Sequence, residues 1–242
     1  MENFTINREL CELYFNNKDL KPIDVDLMEV VWLKIREKYQ SPTTTIRIGF
    51  GEAKKAIGRY SKKSLIDSVK RLGVITIETN QKSNNPSQTY VMDFQVSADK
   101  KSFTVAICGQ LFGLFKSPKT YNEYDQSYVY QFNEKHSKLL YKFLIGYKFL
   151  KGKSIYVEAD VLIRVMNIGT DRLLSKIQYD IFKSSVDKIN KTTDLNVSFA
   201  KDGIAFRDDG ITRKYKITFN NWESKMEGKD LKRSKIAVKT NE

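Results

Sequence analysis

One order of elements can be read twice along this chain, about 100 residues apart, and that repeat limits its folds more than any other feature. In the first half, Val25, Met28, Trp32, Ile35 and Tyr39 recur at steps of three and four, which makes one apolar helix face from Asp24 to Tyr39. Asp24 or Asp26 can cap its start, and Ser41-Pro42-Thr43 ends it. Thr44–Ile48 suits a short strand, and Gly51–Ile57 a short helix stopped by Gly58. Ser61 then offers a side-chain oxygen to the open N–H groups of a third helix. Leu65, Val69 and Leu72, with Ile66 beside them, form that helix's inner face. Lys62, Lys63, Ser64, Asp67, Lys70 and Arg71 are left outside. After Gly73 come a β-branched strand, Val74–Thr79, a polar turn over 81–88 with Asn84-Asn85-Pro86 at its tip, and strands at Thr89–Val96 and Ser102–Ile107.

The second half follows the same plan. Asn133–Leu150 is a helix with Leu140, Phe143, Leu144 and Tyr147 on one face, and Ile155–Val157 is a short strand. Ala159–Asn167 is a short helix ended by Gly169. Asp171–Asn190 is a long helix whose inner stripe is Leu174, Ile177, Ile181, Phe182, Val186 and Ile189. Strands at Leu195–Phe199 and Lys214–Phe219 flank a Gly- and Asp-rich turn, Lys201–Arg213. Helix, short helix, basic helix and hairpin, in that order, make a winged helix, whose third helix enters the major groove of DNA. The expected class is α+β: two tandem winged-helix domains related by an internal repeat. Residues 1–118 form the first and 133–222 the second, with 119–132 as a linker or ordered connection whose four tyrosines pack across the joint. A basic, mobile tail covers 223–242.

The charge of the chain says what such domains would bind. Among 242 residues, 42 are Lys or Arg and 29 Asp or Glu, a formal net charge of +13. That excess points to a polyanion, nucleic acid above all.

Several chemistries fall away. No run approaches the roughly 20 apolar residues of a membrane span, and the first residues lack the basic-then-apolar order of a signal peptide. Cys11 and Cys108 stand alone in apolar surroundings, which suits buried thiols in a reducing cytosol. The single histidine, His136, excludes a two-histidine metal site and reads as a helix-start residue. Gly49-Phe50-Gly51 begins like a dinucleotide fingerprint, but Lys54 stands at the third glycine position. Gly152-Lys153-Ser154 lacks the leading glycine of a phosphate loop, since position 147 is Tyr147. Glu158 and Asp160 read as caps of a short helix, not as metal-binding carboxylates. No cofactor, metal or catalytic residue is expected.

Three stretches of the second half carry a family resemblance. Ser137–Leu144, SKLLYKFL, looks like an "S-x-R-L-Y-E-L-L" helix, Ile155–Ile168 like an "isleeLrelLgi" segment, and Val186–Leu195, VDKINKTTDL, like an "ikEINektdl" signature. In order and spacing they resemble the theta-type plasmid replication initiators, the initiator Rep protein family, over roughly residues 130–222. Leu139, Lys188 and Ser184-Ser185 depart from the usual arginine, glutamate and "pA". The resemblance implies binding of repeated duplex sites (iterons) at a plasmid origin by both winged helices. It implies opening of an adjacent AT-rich segment and recruitment of the host initiator and helicase. It also implies homodimers in equilibrium with monomers, the dimer repressing its own promoter.

DNA contacts are expected from Lys62, Lys63, Ser64, Lys70 and Arg71 in the first half, and from Lys176, Tyr179, Lys183, Ser184, Arg207 and Arg213 in the second. Among these, Tyr179 and Lys183 are the expected base readers. A paired winged-helix transcription regulator and an RNA-binding basic protein are the rival readings.

Overall fold

The computed structural model describes residues 4–7, 11, 13–16, 20–37, 45–79, 88–116, 121–169, 175–207 and 210–220. In the first half the strands are β1 (Phe4–Asn7), β2 (Leu13–Phe15), β3 (Thr45–Gly49), β4 (Val74–Thr79), β5 (Thr89–Val96) and β6 (Ser102–Ile107). Its helices are α1 (Pro22–Glu37), α2 (Phe50–Ile57), α3 (Lys62–Leu72) and α4 (Gly109–Lys116). A strand β7 (Tyr121–Tyr124) and a helix α5 (Ser127–Gln131) follow. The second half holds α6 (Lys135–Ile145), β8 (Ser154–Glu158), α7 (Ala159–Val165), α8 (Ser175–Thr192), β9 (Val197–Arg207) and β10 (Gly210–Phe219). The fold is mixed α/β, and every strand pairing in its sheets is antiparallel.

Local chemistry explains the element ends. Pro22 opens α1, where its missing N–H costs no bond. The Lys21 backbone N–H donates to Asp24 Oδ2 at 2.7 Å, so Asp24 does cap this helix. Asp26 does not; its carboxylate is drawn instead to Arg59, Tyr60 and Lys138. Helix α2 ends at Gly58, whose φ of +82° only glycine adopts without strain and whose N–H returns to Lys54 O at 2.8 Å. Helix α3 begins as the sequence predicts, with Ser64 N–H donating to Ser61 Oγ at 3.1 Å. Glu158 precedes α7 without any side-chain cap, contrary to expectation, and Asp160 instead meets Arg164 one turn on, at 3.4 Å.

The first half is built on a five-stranded sheet in the order β2-β4-β5-β6-β3. Alternate residues Ile46 and Ile48, Ile75 and Ile77, Met92 and Phe94, and Phe103 and Val105 fill one buried layer with the inner faces of α1, α2 and α3. The second half has a three-stranded sheet, β8-β10-β9, packed on α7 and α8. Phe182 of α8 stands edge-on to Tyr215 of β10, ring centroids 5.3 Å apart, and Phe199 of β9 stacks on Tyr215 at 4.9 Å.

One expectation needs correction. The segment 201–213 is not a long turn: β9 runs to Arg207 and β10 starts at Gly210, with Phe206 opposite Ile211 and Ile204 opposite Arg213. Alternation of Ile204, Phe206 and Ile211 with small or polar residues is a strand pattern, and it outweighs the turn-forming glycine and aspartates. Of the segment expected as a linker or an ordered connection, the described residues 121–132 are ordered: β7 pairs with β1, and α5 buries Val129 beside Phe132. Tyr128 packs edge-on against Tyr141, as packing across the joint requires. The wing tip at 84–86, the start of the long helix at Asp171 and the tail 223–242 lie outside the described residues.

The two halves meet along α1 and α6, and along β2 and α7. Asn167, held at φ +53°, donates through Nδ2 to Phe15 O at 3.0 Å and accepts from Lys135 Nζ at 2.8 Å. Helices therefore pack in series, α3 on α1, α1 on α6 and α6 on α8.

Candidate nucleic-acid interface

Helix α3 has two unlike faces. Leu65, Val69 and Leu72 are buried, together with the Ser68 side chain. Lys62, Lys63, Asp67 and Lys70 are exposed, and Ser64 and Ile66 are half-buried beside them. Lys63, Asp67 and Lys70 follow at steps of four and three, so they share one solvent-facing stripe. Ser64 shares a hydrogen bond with Ser61, Oγ to Oγ at 2.8 Å, which ties its hydroxyl to the helix cap.

Arg71 does something other than expected. Its Nε donates to Asp24 Oδ2 at 2.9 Å and its Nη2 to Asp24 Oδ1 at 2.6 Å, a forked pair with a fully buried carboxylate. The hydrogen bond it donates to Asp24 raises the guanidinium pKa still further. Ser68 Oγ donates to the same Asp24 Oδ1 at 2.5 Å. Arg71 therefore holds α3 to α1.

In the second half, Lys183 and Ser184 are exposed on α8, and Ser184 Oγ donates to Ile181 O at 3.1 Å. Asp180 and Asp187 interrupt the positive charge of that face. Arg213 is exposed on β10. Tyr179 turns inward: it lies 5.7 Å from Phe199 and 6.4 Å from Tyr215, with the Lys201 ammonium 4.6 Å over its ring. In that half-buried position it packs on the hairpin. Lys176 and Arg207 belong to α8 and β9, but their side chains lie outside the described ones. The structure thus gathers Lys62, Lys63 and Lys70 on one helix face, and places Lys183, Ser184 and Arg213 on two elements of the other half.

The signature VDKINKTTDL is mostly structural. Ile189 and Leu195 are buried. Asn190 pins the end of α8 to the start of β9, donating through Nδ2 to Val197 O at 2.6 Å and accepting from Val197 N at 2.8 Å. Thr193 Oγ1 donates to Ile189 O at 2.9 Å and accepts from Leu195 N at 3.1 Å. Asp194 pairs with Lys148 at 2.7 Å. Lys188, a departure from the signature, pairs with Glu134 just before α6.

Sequence reasoning missed a buried charge network at the joint. Asp26 accepts from Lys138 Nζ at 2.5 Å, from Arg59 Nη2 at 2.6 Å and from Tyr60 OH at 2.9 Å. Arg59 also donates to Phe132 O at 2.8 Å and to Asn133 Oδ1 at 3.0 Å. One turn along α1, Glu29 accepts from Lys142 Nζ at 2.6 Å, and the Lys142 ammonium lies 4.9 Å over the Trp32 ring. Burial pushes the Lys138 ammonium down to about 8, against the upward pull of Asp26. Burial raises the Tyr60 hydroxyl, and Asp26 raises it further. The spacing alone hid it: Lys138 and Lys142 stand four apart on the side of the helix opposite Leu140, Phe143, Leu144 and Tyr147, as a solvated pair would, and only the packing of α6 buries them.

Among the described residues no group of three or more His, Cys, Asp or Glu could hold a metal, and no helix is long and apolar enough to cross a membrane. His136 Nδ1 lies 2.8 Å from Met166 O, a bond within the fold.

A family model described as "Initiator Replication protein, WH1" matches residues 7–145. The match covers more than half of the chain and ends on the last residue of α6. It lies over the half in which the sequence offers only a general winged-helix plan, and overlaps the three similar stretches only at Ser137–Leu144. No curated protein matches the chain.

Proposed function

The chain belongs to the initiator replication protein family, plasmid replication initiators with a winged-helix first domain, and on that premise we propose that it binds repeated duplex sites at a plasmid origin with two winged helices. The carrying observation is the polarity of α3, with Leu65, Val69 and Leu72 buried while Lys62, Lys63 and Lys70 are held in solvent. In a winged helix this is the groove-facing helix. The second winged helix is α6–β8–α7–α8–β9–β10, which repeats the order α1–β3–α2–α3–β4–β5. Its reading helix is α8, and Lys176, Lys183, Ser184, Arg207 and Arg213 are the DNA contacts proposed for it. The net charge of +13 supports phosphate binding.

Bound at its sites, the protein helps open the AT-rich segment beside them and recruits the host initiator and helicase in the cytoplasm. A homodimeric form in equilibrium with the monomer represses its own promoter. No catalytic step is part of this reading.

Selection from a random duplex library at about 150 mM salt, with single-stranded DNA and RNA as competitors, tests it; at that salt phosphate contacts alone bind weakly. One long duplex motif is the expected result, and replication of a DNA carrying it should depend on the protein. A motif without such dependence favours a transcription regulator, and a preference for RNA ends the proposal. The double change Lys62→Ala with Lys63→Ala should weaken binding to all sequences. It should lower the slope of log affinity against log salt by about 0.9 for each phosphate that the protein no longer neutralises. An unchanged slope removes α3 from the interface.

A further inference from the structure

Helix α3 is held at both ends by two carboxylates of α1. At its C-terminal end, Asp24 grips Arg71 through both oxygens and Ser68 through one. At its N-terminal end, Asp26 grips Arg59 and Tyr60, the two residues that precede the Ser61 cap. Both carboxylates are fully buried, so neither can meet DNA. A forked arginine–carboxylate pair fixes direction as well as distance. The forked pair at the C-terminal end, with the single-oxygen grip of Asp26 on Arg59 and Tyr60 at the other, fixes the rotation of α3 about its axis and therefore which side chains face outward.

Asp26 has a second attachment. Its other oxygen accepts from Lys138 on α6, and Arg59 reaches Phe132 O and Asn133 just before α6. The group that orients the start of α3 is thus shared with the other half of the molecule. Ion pairs continue along the helix series, Lys142 with Glu29 between α1 and α6, and Lys188 with Glu134 between α6 and α8.

We infer that Asp24 and Asp26 are positioning residues for DNA reading: Asp24, through Arg71, sets the rotation of α3, and Asp26, through Lys138, sets its distance from α8. Arg71 serves as a strut and makes no phosphate contact. The inference rests on α3 and α8 being the reading helices, as proposed above, and it assigns specificity to side chains that touch no base.

Two full-length variants test it, each profiled by selection from random duplex DNA and by the salt dependence of binding. Arg71→Lys keeps the charge and loses the fork. A strut predicts about a tenfold or greater loss of preference in one of the two parts of the motif, with the salt slope unchanged. A phosphate ligand predicts intact preference, because lysine serves nearly as well. Lys138→Met lies in the other half and removes the shared attachment of Asp26. It should let the protein accept one base pair more or fewer between the two parts of the motif, a change that the unaltered protein rejects. Retained preference in Arg71→Lys, or a reduced salt slope, overturns the Asp24 assignment. Unchanged spacing in Lys138→Met overturns the Asp26 assignment. Should Lys138→Met fail to fold, Arg59→Lys tests the same attachment from the α3 side, with the same spacing readout. An unaltered protein that selects no motif sinks the DNA-reading proposal itself, a result distinct from a motif that both variants leave intact.

Discussion

Lys138 carries an ammonium into a place with no solvent exposure, and the effect on stability can be worked out with its sign. Its folded pKa is about 8, below the ordinary 10.5. Between those values the unfolded chain holds a proton that the folded chain has released, so rising pH favours folding. Urea unfolding from pH 8 to 9.5 should show stability climbing by at most about 1.4 kcal/mol per pH unit, and Lys138→Met should flatten the climb. Above pH 10 the trend should reverse. Tyr60, Tyr130 and Tyr141 are raised chiefly by burial, so they ionise first in the unfolded chain and draw the equilibrium that way. A second residue, Ser61, makes a bond legible in advance, and Ser61→Ala should cost about 1 kcal/mol in urea unfolding. A cap declares itself because it is local, a serine just before an amphipathic run. The grips of Asp24 on Ser68 and of Asp26 on Arg59 did not, because those partners lie more than thirty residues away. From sequence alone, Arg71 looks like any outward basic residue of α3.

At the scale of elements, periodicity is what could be read. The inner faces of α1, α3 and α8 follow from their apolar spacing, and the β-branched strands β4, β5 and β6 from composition between breakers. The short strands β1, β2 and β7 and the helices α4 and α5 were not foreseen; β1, β2 and β7 are four residues or fewer, and their pairing partners decide them. The hairpin β9–β10 was foreseen but cut short. Its hold on α8 passes through Phe182, wholly buried against Phe199 and Tyr215. Phe182→Ala should cost about 3–5 kcal/mol, read by chemical denaturation. Leu65→Ala, wholly buried under α3, should cost about 2–5 kcal/mol by the same measurement, with weaker DNA binding that follows from the loss of folded protein.

The molecule as a whole joins two halves through charges that water does not reach. Glu29→Ala would leave the buried Lys142 without its carboxylate, and a loss of about 3–5 kcal/mol should appear in urea unfolding. The family membership was read from similarity in the second half, whereas the matching family model covers residues 7–145. Asn190, Thr193 and Leu195 fasten a helix to a strand, so they announce a fold more than a chemistry.

The pairs between α1 and α6 also set a timetable for the chain as it is made. Asp26 precedes Lys138 by 112 residues, and Glu29 precedes Lys142 by 113. All five strands of the first sheet leave the ribosome before either lysine does. Until then two carboxylates destined for the interior lack these ammonium partners, and burying them would be costly. The charges that α1 buries at the joint are therefore fully matched only once the chain has been made through Lys142.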